Sequence, residues 1–575
     1  MKSASGRSQV FRFGTFELDV RACEIRKQGV RIKLPEQALR VLELLVESPG
    51  RLVTREELRT ALWPSNSYVD FDQGLNRAIN KLREALGDSA ESPHFIETLA
   101  RRGYRFVWEA HSTSATGDSI AVLPFVNMSA DPENEYFADG ITEEIINALA
   151  QIKDLHVVAR SSAFSFKGKH VDARIVAEQL NVRTVLEGSV RRVDNRLRIT
   201  VQLVEAADGY HLWSERYDRE LKDVFAIQDE IARSIVERLK ITLEGDRLES
   251  LVKAGTKNLE AYQLYAKGRI LLPRRGSCVP QAVECFKRAV ALDPEYALAW
   301  AGLADSYTVL GYSGFARPDA CMPKATEAAR RAVALDPSLA EAHDALACAC
   351  LLDLWDPTEA EREFLRALEL NPGFVQGRGR YALFYLQAIV GRLEEAVAEA
   401  KLALRCNPLS SYAHALVGYT CFGAGRYTES VLACERAVEL DPESFLARWC
   451  HHLALHGGGW FEQAATVGEQ ALNMSGRHPW AVMSLAVMFC DWEKHADVEA
   501  LYAELIARSR RGYVQPVTLA ITAAAAGIEE EAIRHTREAL EIRDPFVPLW
   551  FSKYWPFSAR LYTYPRFREM MATMG

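Results

Sequence analysis

Gln73, Asn76, Arg77, Asn80 and Lys81 stand at i, i+3, i+4, i+7 and i+8 of the run FDQGLNRAINKLREALG. A helix there gathers them, with Glu84, on one face, and puts Leu75, Ala78, Ile79, Leu82 and Leu86 on the other. Asparagine can hydrogen-bond adenine in bidentate fashion, and arginine or lysine can do so with guanine, so the polar face has the chemistry to read base edges. A solvated charged face would have a similar composition, and the helix alone does not decide. The next segment does. Phe95–Leu99 and Tyr104–Val107 alternate as two strands joined by the turn Ala100-Arg101-Arg102-Gly103. Two adjacent arginines at a tight tip have little structural use and suit a narrow minor groove or its phosphates. Thr54 and Arg55 ahead of the helix, and Tyr104 and Arg105 on the hairpin, are further candidate contacts to the DNA backbone.

Residues 9–108 supply the elements that would position this set. VFRFGTFELDVRACEIRKQGVRIKL alternates β-type runs with turn signals and predicts an antiparallel sheet of three or four strands. Pro35 opens a helix that Ser48-Pro49-Gly50 stops. Thr54 and Glu57 have capping-box spacing at the start of a second helix, which ends at Trp63-Pro64. The stretches SPGRLVTREELRTALW, NKLREALG and IETL…RGYRF resemble, in order and spacing, the winged-helix DNA-binding domain of OmpR/PhoB-type response regulators. The resemblance implies that the third helix enters the major groove, that the hairpin is the wing, and that the 63–71 loop can contact RNA polymerase. Members of that family often place Arg-Gly in the first half of the wing turn, where this chain has Ala100-Arg101; the minor-groove arginine is therefore Arg102 or Arg101. No receiver domain precedes this unit, so no phosphoacceptor aspartate is expected to switch it.

Residues 118–245, after a 109–117 linker, read as β-α-β-α-β-β-β-α, an α/β sandwich with Asp194-Asn195 as a hairpin turn. IAVLPF, FADGITEEI and VLEGSVRR…RITVQL…WSERYDR resemble the TolB-N-terminal-like or FlgO-like module. Phe166-Lys167-Gly168-Lys169 is too short for a phosphate loop. Arg191, Arg192, Arg196 and Arg198 read as a solvated face rather than a nucleic-acid patch.

From 258 to 575 the chain repeats itself. Asp293-Pro294, Asp336-Pro337, Asn371-Pro372, Asn407-Pro408, Asp441-Pro442 and His478-Pro479 recur with matched small residues at Ala282, Ala289 and Ala304 and their equivalents. Small residues at fixed phase let paired helices approach closely, and the proline marks the end of each second helix. The pattern is that of tetratricopeptide repeats, which stack into a superhelix with a concave groove for a protein or peptide partner. Trp300 takes the usual tryptophan position, and His343, Arg378, His414 and Arg448 replace it later. Six to eight repeats are expected, with weak register after Pro479 and the aromatic tail LWFSKYWPFSARLYTYPRF as a terminal cap.

Net charge divides unevenly: 18 Lys+Arg against 14 Asp+Glu over 1–108, then 51 against 63 beyond. A basic reader on an acidic body suits DNA binding joined to a protein-facing half. Ten of eleven cysteines lie beyond 277 without a CxxC pair, which points to buried thiols in a reducing compartment. Cys450-His451-His452 with His456 lacks a second ligand pair, so no metal is expected. There is no nucleophile–base pair, and neither catalysis nor a cofactor is expected. No apolar run reaches the ~18–20 residues of a membrane span, and the N-terminus lacks a signal-peptide core, so a cytoplasmic protein is expected.

The expectation is multidomain: a winged helix-turn-helix (α+β), an α/β sandwich and an all-α tetratricopeptide superhelix. The order resembles HilA-type regulators, which implies a one-component transcription regulator whose later domains sense a ligand or partner or drive homo-oligomerisation. Membrane regulators of the ToxR and CadC type differ in having a span after the winged helix. The competing reading is a repeat scaffold with vestigial DNA binding, against which the outward Asn and Arg residues argue.

Overall fold

The computed structural model describes residues 10–572 except 14–15, 21, 28–29, 47–50, 63–70, 89–94, 100–101, 107–110, 113–117, 130, 132–133, 151, 153–154, 170, 181, 221–223, 240–254 and 277. The chain divides into two compact units, Met1–Thr116 and Gly117–Gly575.

In the first unit β1 (Val10–Phe13), β2 (Phe16–Asp19), β3 (Glu24–Lys27) and β4 (Val30–Ile32) form an antiparallel meander. α1 (Glu36–Val46) follows Pro35 and buries Ala38, Val41, Leu42, Leu45 and Val46. β5 (Leu52–Thr54) leads into α2 (Arg55–Leu62) and α3 (Phe71–Leu86), and β6 (Ile96–Leu99) and β7 (Gly103–Phe106) make the hairpin. Two strands go beyond the expected set. β5 pairs with β7 and turns the two-stranded ribbon into a three-stranded sheet. β8 (His111–Ser112) pairs with β1 and draws part of the expected linker into the first sheet. Gly103 is fixed by this pairing: at φ +155°, a Cβ there would lie 2.1 Å from the Val53 carbonyl. Phe13, Phe16, Phe95 and Phe106 join the sheets through ring contacts of 5.0–6.4 Å.

The second unit opens with a six-stranded sheet. Its strands are β9 (Asp118–Val122), β10 (Val126–Asn127), β11 (Leu155–Val157), β12 (Thr184–Val193), β13 (Arg196–Glu205) and β14 (His211–Glu220). Their order is β11-β9-β12-β13-β14, parallel through β12 and antiparallel beyond it, with β10 beside β12. α4 (Asn134–Ala150) and α7 (Val224–Arg238) cover one face; α6 (Ala173–Leu180), after the short α5 (Arg160–Phe164), covers the other. The expected element order holds, with β10 and α5 added.

Eight helix pairs follow among the described residues. They are α8 (Leu259–Leu271) with α9 (Cys278–Leu292), α10 (Ala297–Tyr312) with α11 (Pro318–Leu335), α12 (Ala340–Ala349) with α13 (Pro357–Leu370), and α14 (Val375–Arg380) with α15 (Leu393–Cys406). Then come α16 (Ser411–Gly423) with α17 (Tyr427–Leu440), α18 (Phe445–Gly457) with α19 (Phe461–Met474), α20 (Pro479–Asp491) with α21 (His495–Ser509), and α22 (Pro516–Ala525) with α23 (Glu529–Glu541). π-helical segments at Cys350–Leu354 and Tyr381–Gln387 extend α12 and α14. The small residues are buried as their phase requires, and a Cβ on Gly418 would meet Cys434 Sγ at 2.2 Å. The last two pairs are regular despite their weak sequence register.

Two sequence expectations about the repeats change. The replaced tryptophan positions are chemically equivalent. Trp300, His343, Arg378, His414 and Arg448 each direct a side-chain nitrogen at the carbonyl of the proline six residues upstream, at 2.7–3.0 Å. Any planar N–H donor of the right reach serves there. The aromatic tail, in turn, does more than cap the end. Phe546 packs against Tyr312 and Trp480, Trp550 against Trp449, and Trp555 stacks on Tyr419 and meets Phe422 edge-on. Ser552 Oγ donates to the Ala388 carbonyl. The tail thus packs along α10, α14's extension, α16, α18 and α20, the surface where a peptide partner was expected. Among the described residues, no helix is long and apolar enough to cross a membrane.

Candidate nucleic-acid interface

α3 carries the expected division of faces. Leu75, Ala78, Ile79, Leu82 and Leu86 are buried, and Asn76, Arg77, Asn80, Lys81 and Glu84 are exposed. Arg77 and Asn80 have no hydrogen-bond or ion-pair partner among the described residues. Lys81 pairs with Glu84 at 2.5 Å across one turn, an exposed contact that competes weakly with a phosphate or base. The side chain of Gln73 lies outside the described residues, as do Arg101 and the 63–70 part of the candidate polymerase loop.

Asn76 has a second role. Its Oδ1 accepts from the Tyr104 hydroxyl at 3.0 Å and from Arg55 Nη2 at 3.1 Å. Arg55 Nη1 also donates to the Tyr104 oxygen at 3.3 Å, with the guanidinium carbon 5.7 Å from the ring centroid. The contact joins the start of α2, the outer edge of α3 and the middle of β7. Tyr104 is only 3% exposed. Expected as a contact to the DNA backbone, it has little exposed surface, and its hydroxyl is bonded to Asn76. With Oδ1 engaged, the Asn76 amide presents its N–H groups outward.

Thr54 is likewise engaged locally. Its backbone N–H donates to Glu57 Oε2 at 2.7 Å, and Glu57 N–H donates back to Thr54 Oγ1 at 3.2 Å, the reciprocal bonds of a capping box. Arg51 donates to Glu57 at 2.8 Å. That bond first, with the two from Thr54, lowers the Glu57 carboxyl to about 2. Arg102 is exposed, and its backbone accepts from Arg55 N at 3.1 Å, which ties the wing turn to the start of α2. Arg105 pairs with Glu97 across the hairpin at 3.4 Å.

Arg83 was missed by the sequence reading. It is buried, and Nη2 donates to the Ile96 carbonyl at 2.6 Å and to Thr98 Oγ1 at 2.9 Å. Its place four residues after Ile79, on the apolar stripe, was the available signal. It locks the inner face of α3 to the wing strand β6.

Cys450, His452 and His456 lie on α18 inside the repeats, where burial pushes the Cys450 thiol up. His452 Nδ1 faces the Ala464 carbonyl at 2.9 Å, and burial lowers its ring to about 4. His456 Nε2 faces Asp491 at 2.9 Å. Burial pushes the Cys321 and Cys421 thiols up to about 12.

Residues 29–106 match the family described as "Transcriptional regulatory protein, C terminal". Residues 116–234 match "HilA/YgeH-like transcriptional regulator, second domain", and 411–444 match the tetratricopeptide repeat. Together with the helix–wing geometry, these define the class: a multidomain, DNA-binding transcription regulator of the OmpR/PhoB winged-helix type. Among individual relatives, the Transcriptional regulator HilA of Salmonella typhi is 22% identical over 525 residues, covering 88% of this chain and 84% of HilA. "Putative adenylate cyclase 3" of Rhizobium meliloti (strain 1021) is 48% identical over 187 residues, 32% of each chain; this chain thus spans about a third of that relative. Among solved structures, the Klebsiella pneumoniae RstA DNA-binding domain in complex with RstA box matches 17% of this chain and 96% of its own, at 26% identity and a TM-score of 0.16.

Proposed function

We propose that the chain is a one-component regulator in which α3 reads promoter DNA through Asn76, Arg77, Asn80 and Lys81, with Gln73 at its leading end. Arg102, with Arg101, reaches the minor groove or its phosphates from the wing. Arg55 and Arg105 flank the backbone. The observation that carries this reading is the pair Arg77 and Asn80, without a partner among the described residues and exposed on a helix whose inner face Arg83 fixes to the wing. Unpaired donors held on a rigid element suit base contacts. The α/β module and repeats bring two copies together on tandem half-sites, take up a partner at surfaces the tail leaves open, and perform no catalysis. The cyclase name belongs to a whole protein of which this chain matches 32%. The protein works in the cytoplasm, where it meets DNA and RNA polymerase.

The test is selection of operators from random duplex with the full chain, then titration on single and tandem sites. Tandem sites are expected to bind at least about tenfold more tightly, equivalent to ~1.4 kcal/mol. Replacing Arg101 and Arg102 together with alanine is expected to lower the salt slope by about one to two units on specific and random duplex alike. Failure to enrich any sequence would reject the reading.

A further inference from the structure

β14 is the edge of the six-stranded sheet: it pairs with β13 on one side and with no described strand on the other. The ladder breaks once, between Leu203 and Val204, and runs uninterrupted from Trp213 to Glu220. An open edge presents a row of backbone donors and acceptors that template a further strand. Proteins blunt such edges with proline, shortness, bulges or charge. β14 has ten residues and no proline, and its irregularity sits at one end. It does carry charge, at Glu215, Arg216, Asp218 and Arg219, all exposed.

The order of those charges turns a deterrent into a code. About Tyr217 the signs are antisymmetric: Arg216 and Asp218 are opposite, and so are Glu215 and Arg219. In an antiparallel pair, residues equidistant from a two-fold axis lie directly opposite on one face. With the axis at Tyr217, Arg216 faces Asp218 of the second copy and Glu215 faces its Arg219; symmetry repeats both. A slide of one residue would turn the buried face of one sheet to the outer face of the other, so the competing registers are those that keep the parity of the strand. Sliding further to an axis at Arg216 or Asp218 sets that residue against itself. Among the described residues of one copy Asp218 is held in exposed pairs, with Arg198 at 2.7 Å and Arg216 at 3.2 Å, which exchange readily for pairs to a second copy. Trp213 and Tyr217 are buried, so the strand is fixed in place and orders little on pairing.

We infer that β14 is a self-association surface whose partner is β14 of a second copy, added antiparallel about Tyr217 so that two sheets become one. The same patch serves both copies, as a closed two-fold contact requires. This names the surface for the self-association part of the proposed function, and its test needs no DNA.

The experiment is sedimentation of the full chain as wild type, as Arg216→Asp, as Asp218→Arg, and as an equimolar mixture of the two variants. Wild type is expected to dimerise. Each variant alone sets like charges opposite one another twice and is expected to dimerise at least about tenfold more weakly. The mixture sets two acidic groups of one chain against two basic groups of the other and is expected to restore the dimer. A monomeric wild type, unchanged variants, or a mixture that stays monomeric while both variants keep wild-type circular dichroism would overturn the inference. Glu215→Arg and Arg219→Glu give an independent swap with the same expectation if either first variant misfolds. Operator selection stands or falls separately from all of these outcomes.

Discussion

Asn76 on α3 and Tyr104 on β7 share a 3.0 Å hydrogen bond, so the helix proposed to read bases and the wing strand are aligned through a side chain that itself faces outward. Tyr104→Phe removes the hydroxyl and keeps the ring. A stability loss of about 0.5–1.5 kcal/mol is expected, with operator affinity falling and sequence preference retained. Thermal unfolding and gel shifts on the same preparation check it. Unchanged affinity would make the bond purely structural.

Arg77→Ala and Asn80→Ala act differently. Neither side chain holds the fold together, so unfolding is expected within about 0.5 kcal/mol of wild type. Each is expected to lose roughly 1–3 kcal/mol of discrimination at one base pair. Competition with single-base operator variants reads this directly, and two alanine variants with intact preference would remove α3 from the reading head.

Glu144 supplies a pH test in the second unit. Burial first, and then neighbouring Glu143, push its carboxyl from 4.5 up to about 8, against the opposing pull of Arg269. An acid with a raised folded pKa favours the protonated native state. Its stabilising effect is complete below about 4.5 and is lost as pH rises through about 8. Glu144→Gln is expected to flatten the fall in melting temperature across that window and to melt higher than wild type at its alkaline end. Parallel curves for the two proteins would exclude Glu144 as the group responsible.

Trp550→Ala tests the tail. The ring is buried against Trp449, Trp480 and Phe546. A loss of about 3–5 kcal/mol is expected, spread over the repeats rather than confined to the last pair. Hydrogen exchange should show added opening in α10 and α16 as well as in α22.

Much of this was legible in the sequence because local signals and burial agree. The Thr54–Glu57 cap, the apolar stripe of α3 and the alanine phase of the repeats each follow from spacing that the fold then uses. What escaped depends on distant partners. β5 is three residues long and exists only because β7 lies beside it. Arg83 falls on the apolar stripe of α3, but what it does there shows only once the Ile96 carbonyl is placed against it. The five residues at the tryptophan position differ in class and look degenerate, and only a shared acceptor reveals that one property, a planar N–H, is being kept.

The path of the tail also has a consequence in time. Phe546 completes the surroundings of Tyr312, which emerges from the ribosome more than two hundred residues earlier. At ~5–20 residues per second this leaves roughly 10–50 s in which Tyr312 stands uncovered, and shorter intervals for Tyr419, Trp449 and Trp480. A nascent or stalled chain is therefore a strong client for chaperones throughout that interval. Solenoids ordinarily mature one repeat at a time; here the repeats are closed by a segment made after all the helices it covers.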